Sequence, residues 1–136
     1  MKFPFPAIAA AFRERRIVRQ PIPDVKEKDV ERIVRREFAR EQCDTVMGVL
    51  REYSQGRLPK ECSRVRLAAL KLAQGDLERL RFHIGHARQD YRDVLAAAEY
   101  PEYMRAVAFL VSKLSRKEQL RIVNSDWDQY AKWLQK

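Results

Sequence analysis

Two histidines and an aspartate lie close together on one predicted helix. His83, His86 and Asp90 are separated by three and four residues, which brings their side chains to neighbouring positions on a helical face. Imidazole nitrogens and carboxylate oxygens are ligands for zinc and other divalent metals. This segment offers no fourth ligand, and no second Glu-x-x-His element is present to complete a two-metal site. We therefore predict no metal or other cofactor and place these side chains on a solvated face.

No side chains are spaced for nucleophilic catalysis. The serines and cysteines lie outside any strand-turn-helix elbow or glycine-rich oxyanion loop. Two carboxylate pairs, Asp90 with Asp93 and Asp126 with Asp128, are explained by surface ion pairs and helix capping. The four glycines are too scattered to form a phosphate-binding loop. We predict that the protein is not an enzyme and has no small-molecule substrate.

Arginines form two clusters that would attract acidic partners. The cluster nearer the N-terminus consists of Arg13, Arg15, Arg16 and Arg19. The second cluster consists of Arg32, Arg35, Arg36 and Arg40. The carboxylates interleaved with the second cluster are Glu31, Glu37 and Glu41. Because such carboxylates weaken attraction to phosphate, and no helix-turn-helix signature is present, nucleic acid is the alternative and an acidic protein the preferred partner.

The histidines lie in the segment with the clearest helical periodicity. Its apolar row advances in steps of three and four and consists of Leu77, Leu80, Ile84, Ala87, Tyr91, Val94 and Ala98. Only an α-helix brings such positions onto one face. The spacing predicts a helix over residues 76–98 with one buried row.

Residues 24–54 are also predicted to be helical, with Asp24 as the N-cap and Gly56 and Pro59 beyond the end. The candidate core positions advance in steps of four: Val30, Val34, Phe38, Gln42, Val46 and Leu50. Such a row drifts by about 40° at each step. Either its two ends pack on different neighbours, or the helix is broken near residues 40–45.

Residues 60–74 are predicted to form a helix at the centre of a bundle. Cys62, Val65 and Ala68 lie on one face, whereas Leu67 and Leu70 point the other way. Gly75 and Asp76 supply a C-cap and the next N-cap, so the following helix should fold back as an antiparallel neighbour.

Two further helices are predicted towards the C-terminus. Pro101 suits the first turn of a helix over residues 102–113, which we also expect to be central because Phe109 lies opposite its apolar stripe. Ser115 and Glu118 form a capping box before the last helix. The apolar row predicted for that helix consists of Leu120, Val123, Trp127, Tyr130 and Leu134.

The two tryptophans receive different predictions. Trp127 falls within the predicted apolar row and is expected in the core, whereas Trp133 projects away from it. Trp133 is therefore either covered by the N-terminal segment or exposed as an anchor for a partner or a second copy. With Arg13, Arg15, Arg16 and Arg19, it makes up the predicted partner-binding set.

Composition places the chain among folded helical proteins. It has 136 residues, of which 46% are hydrophobic and 35% charged, with a net charge of +9. We predict an all-α, single-domain bundle of five or six helices over residues 24–136. A basic and apolar arm with a proline linker, residues 1–23, precedes it. The apolar run at residues 3–12 is too short to span a membrane, and Cys43 and Cys62 are expected as reduced thiols in a cytoplasm.

Two segments resemble parts of known proteins. Residues 64–73, RVRLAALKLA, and residues 90–101, DYRDVLAAAEYP, are similar to segments of small, functionally uncharacterised bacterial helical proteins. The resemblance covers under a third of the chain and implies no activity and no functional residue. The residues themselves predict a helical interaction protein, an adaptor or regulatory subunit, that binds an acidic protein or itself.

Overall fold

The computed structural model describes residues 20–54, 59–110 and 113–136. Within these ranges the chain forms six α-helices and no strand, which confirms the all-α prediction. The helices are α1 (Glu27–Glu37), α2 (Cys43–Arg51), α3 (Pro59–Ala73), α4 (Leu77–Glu99), α5 (Pro101–Leu110) and α6 (Arg116–Gln135). A 3-10 turn, Arg40–Gln42, precedes α2.

The chain divides into two compact units. Among the described residues, one unit lies within residues 23–98, and the other comprises residues 20–22, 99–110 and 113–136. The boundary predicted between an arm (1–23) and a bundle (24–136) remains a prediction.

The helix predicted over residues 24–54 is broken, which is the second of the two alternatives given for it. Phe38 leaves the helical conformation with φ −124° and ψ 150°, and its side chain is buried. The buried row then resumes in α2 at Val46 and Leu50, whereas Gln42 between the helices is exposed. Asp24 as N-cap was wrong: α1 starts after Lys26, whose backbone N–H donates to Asp29 Oδ2 at 2.9 Å.

Helix α3 is apolar on two faces and is buried on both, as predicted. Val65, Leu67, Ala68 and Leu70 are each at most 2% exposed. This helix packs against α1. Such two-sided burial places α3 at the centre of its unit.

Polar contacts fix the ends of the helices around α3. The Arg66 guanidinium donates from Nε to the Leu50 carbonyl at 3.0 Å and from Nη1 to Glu27 Oε2 at 3.3 Å. Arg66 thereby satisfies a C-terminal carbonyl of α2 and pairs with the first residue of α1. At the other end, Gly75 has φ +78° and lies against the Glu37 carbonyl, where a Cβ would come within 3.0 Å. Only glycine suits both its backbone conformation and this close approach.

Helix α4 has the predicted apolar row but is not straight. Leu80, Ile84, Ala87 and Val94 are buried. Asp90 has φ −153° and ψ 92° within the helix, and its Oδ1 accepts from the Arg92 backbone N–H and from Arg92 Nε, both at 3.2 Å. An aspartate that binds the backbone two residues later competes with helical hydrogen bonding, which accounts for the kink.

Helices α5 and α6 pack against each other in the second unit. α5 begins at Pro101, and Ser115 Oγ accepts from the Glu118 N–H at 3.1 Å to start α6, as predicted. The side chains at residues 107–110, including Phe109, lie outside the described residues, so the predicted central position of this helix stays a prediction.

The predicted apolar row of α6 is partly wrong. The buried positions are Gln119, Val123, Asp126 and Tyr130, whereas Leu120 is 40% exposed and Trp127 is 37% exposed. The helix is rotated because Asp126 faces the start of α5, where its Oδ1 accepts from the Glu102 N–H at 3.2 Å and its Oδ2 from the Tyr103 N–H at 2.8 Å. Buried backbone donors therefore set the inward face of α6.

Candidate functional site

The histidine cluster is less solvated than the sequence predicted. His86 Nε2 lies 3.3 Å from Asp93 Oδ2, and the Asp93 side chain is only 2% exposed. Residues seven apart on a straight helix are separated by about 10 Å along the axis, and these two meet across the bend at Asp90. The expectation that Asp93 forms a surface ion pair was therefore wrong, whereas Asp90 does pair with Arg92 at 3.2 Å.

His83 lies next to this pair in the sequence and is partly buried. Burial, followed by the positive potential of His86 and Arg79, lowers the pKa of His83 below its ordinary value of 6.5. Within the described residues, His83 Nδ1 and Asp93 Oδ1 are buried without a hydrogen-bond partner. The cluster thus contains an imidazole whose protonated form is disfavoured by burial and a buried carboxyl group.

The cluster has two of the three groups needed for nucleophilic catalysis. Neither histidine is hydrogen-bonded to a serine, threonine or cysteine in the described ranges, so the nucleophile is missing there. In the same ranges, no three His, Cys, Asp or Glu side chains are placed to hold a metal ion. Cys62 is buried and Cys43 half-buried, and both are free thiols.

An exposed aromatic ring lies beside the histidines. Phe82 is 63% exposed, and the centre of its ring is 5.2 Å from that of His83 and 6.2 Å from that of His86. Gly85 follows Phe82 by three residues on α4, and an added Cβ there would meet nothing within 4 Å. The histidines lie beside the ring, and the missing side chain at Gly85 leaves open space about one helical turn away.

Two exposed arginines lie on the same helix as this ring. Arg81 and Arg88 are seven residues apart and therefore share one side of α4, next to Gly85. Arg88 lies 4.0 Å from Glu52, and the described residues give Arg81 no ion pair. We call Arg81, Phe82, Gly85 and Arg88 the Phe82 surface.

The two arginine clusters of the sequence have different outcomes. Arg13, Arg15, Arg16 and Arg19 lie outside the described residues. In the second cluster, Arg32 lies 3.7 Å from Asp29 and Arg36 lies 3.6 Å from Glu37. These pairs partly neutralise the second cluster, as the interleaved carboxylates predicted.

A second exposed surface follows α6. It forms a groove of about 940 Å³ lined by Lys117, Glu118, Leu120, Arg121, Asn124, Ser125, Asp128, Gln129 and Lys132. Trp127, predicted to be core, lies on the same helix and is 37% exposed. Trp133 is half-buried, with its ring 5.7 Å from that of Tyr130. The described residues do not include the N-terminal segment predicted to cover Trp133, so that prediction remains open.

The structure brings together residues that the sequence did not select. Phe82 was not among the predicted partner-binding residues. The sequence did contain a signal for it, because Phe82 is a large apolar side chain that lies away from the apolar row of its helix. Among the described residues, no helix is long and apolar enough to cross a membrane. Neither a family model, nor a characterised protein, nor a solved structure matches this chain.

Proposed function

We propose that the protein is a non-enzymatic helical adaptor or regulatory subunit that binds an acidic protein through the Phe82 surface. The observation that carries the proposal is the 63% exposure of Phe82 on the helix that also carries the exposed Arg81 and Arg88. Aromatic and arginine side chains are enriched at protein interfaces, where a few of them supply most of the binding energy.

The geometry suits an apolar anchor with a charged rim. The Phe82 ring lies beside His83 and His86, so little side-chain freedom is lost when a partner covers it. The open space at Gly85 admits a partner side chain about one helical turn from the ring. Carboxylates of the partner then meet Arg81, which no ion pair within the described residues occupies.

The N-terminal arginines have a separate part in this proposal. Arg13, Arg15, Arg16 and Arg19 would attract the acidic partner over long range and so raise the rate of association. Replacing all four with glutamine should lower the association rate constant and flatten its dependence on salt. Unchanged association kinetics would remove these residues from the proposed interface.

A nucleic-acid partner is the second candidate, since an exposed ring with arginines on the same helix can also stack on a base. A protein partner is favoured over a nucleic acid because carboxylates weaken attraction to phosphate. Such carboxylates pair with Arg32 and Arg36, and the exposed Glu78 lies near Phe82 in the sequence. The two free thiols support the expected cytoplasmic location.

The decisive experiment is affinity capture by the full chain from a lysate, with and without nuclease, followed by identification of the retained proteins. The proposal expects an acidic protein whose retention survives nuclease and falls at least about tenfold in Phe82→Ala, the loss typical of an interface hot spot. Arg81→Glu should reduce retention as well.

Two matched variants control for altered surface properties. Ile22→Ala removes another exposed apolar side chain, 67% exposed, and Arg51→Glu reverses another exposed arginine. Both should retain the partner. Retention that disappears with nuclease would favour nucleic acid, and equal loss in Ile22→Ala and Phe82→Ala would contradict the assigned surface.

A further inference from the structure

We propose that two copies of this chain associate through the exposed face of α6, with the two helices antiparallel. This goes beyond the acidic partner of the Phe82 surface and does not depend on it. The inference rests on the order of charged and apolar side chains along α6.

Three of the rows of exposed side chains on this face carry the argument, and a fourth row with Lys117 and Asn124 lies between the first two. Residues seven apart on a helix lie within about 20° of one line. The first row holds Leu120 and Trp127, which are 40% and 37% exposed. The second holds Arg121 and Asp128, and the third holds Glu118, Ser125 and Lys132, all of them exposed.

Each of these three rows is complementary to itself when its direction is reversed. A two-fold axis perpendicular to two antiparallel helices places every row against the same row of the second copy, running the opposite way. Leu120 then meets Trp127 of the second copy, and Arg121 meets Asp128 of the second copy. In the third row, Glu118 meets Lys132 of the second copy, so each contact forms twice.

All three rows require the same two-fold axis. Their midpoints fall between residues 123 and 125, a spread of about 2 Å along the helix at about 1.5 Å per residue. A parallel arrangement would instead bring Arg121 against Arg121 and Asp128 against Asp128. Because such like-charge contacts are unfavourable, the sequence of α6 selects the antiparallel pair.

The charged side chains of this face are available for a second copy. In the described part of the chain, Arg121, Asp128 and Lys132 form no ion pair with another residue. They line the groove of about 940 Å³ on α6, which leaves room for the side chains of a facing helix. The first row, Leu120 and Trp127, supplies an apolar contact between the two copies, which charge pairs alone would not provide.

The experiment measures the mass of the full chain by sedimentation equilibrium at physiological salt, where repulsion between two basic chains is screened. The mass should rise with concentration from 16.1 kDa towards twice that value. Arg121→Asp and Asp128→Arg should each weaken association at least about tenfold, because each creates two like-charge contacts. The double variant Arg121→Asp, Asp128→Arg restores both pairs and should recover association to within about threefold.

Lys113→Asp is the matched control, because it changes the net charge as much as Arg121→Asp does but lies outside the three rows. It should associate like the unaltered chain. The proposal would be overturned if the mass stayed at that of one chain up to about 1 mM, which corresponds to a free energy of association weaker than about 4 kcal/mol. It would also be overturned if the double variant failed to recover association. The proposal would also be overturned if, in a Trp133→Phe variant, iodide quenched the fluorescence of Trp127 only after residues 1–19 were deleted. That segment would then cover the face.

Discussion

Two packed helix pairs, one in each unit, are held together by different chemistry. Between α1 and α3 the buried side chains are mostly apolar, with Val30, Ile33 and Leu67 each fully buried. The buried Ser63 is a polar exception that donates to Glu27 Oε2 at 3.2 Å. Between α5 and α6 they include Asp126 and Gln119, at 1% and 3% exposure. An apolar interface needs only matched shape, whereas a polar one needs a partner for every buried donor and acceptor.

The start of α5 explains why α6 turns polar side chains inward. Pro101 has no N–H, and Tyr100 before it has no short side chain to cap the helix. Asp126 takes over this task by accepting from the N–H groups of Glu102 and Tyr103. The carboxylate also lies at the positive end of the α5 dipole, so this buried charge has a structural reason.

Gln119 completes the polar contact two turns earlier on α6. Its Oε1 accepts from the buried Tyr103 hydroxyl at 3.0 Å, and its Nε2 donates to the Leu114 carbonyl at 3.3 Å. The comparison shows that a buried helical face need not be an apolar one. It can be defined by the backbone groups that it satisfies.

Ile84→Ala should have the largest effect, because it opens a cavity in the apolar unit. Ile84 is fully buried, and we expect a loss of about 2 to 5 kcal/mol in the free energy of unfolding. Chemical denaturation followed by circular dichroism measures it. Phe82→Ala, two residues away on the same helix but exposed, should cost no more than about 1 kcal/mol. Equal losses would mean that the faces of α4 are misassigned.

Asp126→Ala should have the next largest effect, since it leaves two buried N–H groups of α5 without their acceptor. We expect a loss of about 1 to 3 kcal/mol in the free energy of unfolding. Asp128→Ala, an exposed carboxylate on the same helix, should lose no more than about 0.5 kcal/mol when measured in dilute solution. If the two variants unfold alike, Asp126 does not hold the start of α5.

The sequence predicted the elements where local chemistry decides the structure. The Ser115 cap, the Gly75 turn and the start of α5 at Pro101 depend on residues next to one another in the chain. The apolar row of α4 and the two-sided burial of α3 follow from periodicity alone. These features were confirmed because no distant residue has to be known to infer them.

The features that the sequence did not predict depend on distant or competing contacts. Asp126 is buried because of α5, more than twenty residues earlier in the chain, and periodicity assigned its place to Trp127. The kink in α4 comes from the Asp90 side chain, which competes with the helical backbone. Phe82 was missed because an apolar residue on an exposed face has no periodic partner. The candidate surface therefore needed coordinates, whereas most of the helices did not.

The rotation of α6 predicts a difference between the two tryptophans. In dilute solution, Trp127, observed alone in Trp133→Phe, should be quenched more strongly by acrylamide than Trp133 observed alone in Trp127→Phe. Trp127 is 37% exposed, whereas Trp133 is half-buried against Tyr130. A neutral quencher avoids bias from the nearby lysines. The reverse order would restore Trp127 to the core, as its spacing in the sequence had indicated.

The smallest expected effect concerns His83 and acid stability. Its pKa is lowered in the folded protein, mainly by burial, so below pH 6.5 the unfolded chain binds a proton more readily than the folded one does. Unfolding is therefore favoured as the pH falls from 6.5 towards the lowered pKa, and this contribution to stability is fully present only above 6.5. His83→Gln removes this titration, so between pH 7.5 and 5 the variant should lose less of its free energy of unfolding than the unaltered protein. Carboxylates that titrate in the same range cancel when the two proteins are compared. Parallel losses in the two proteins would mean that His83 is solvated in the same way in both states, as its predicted place on a solvated face implied.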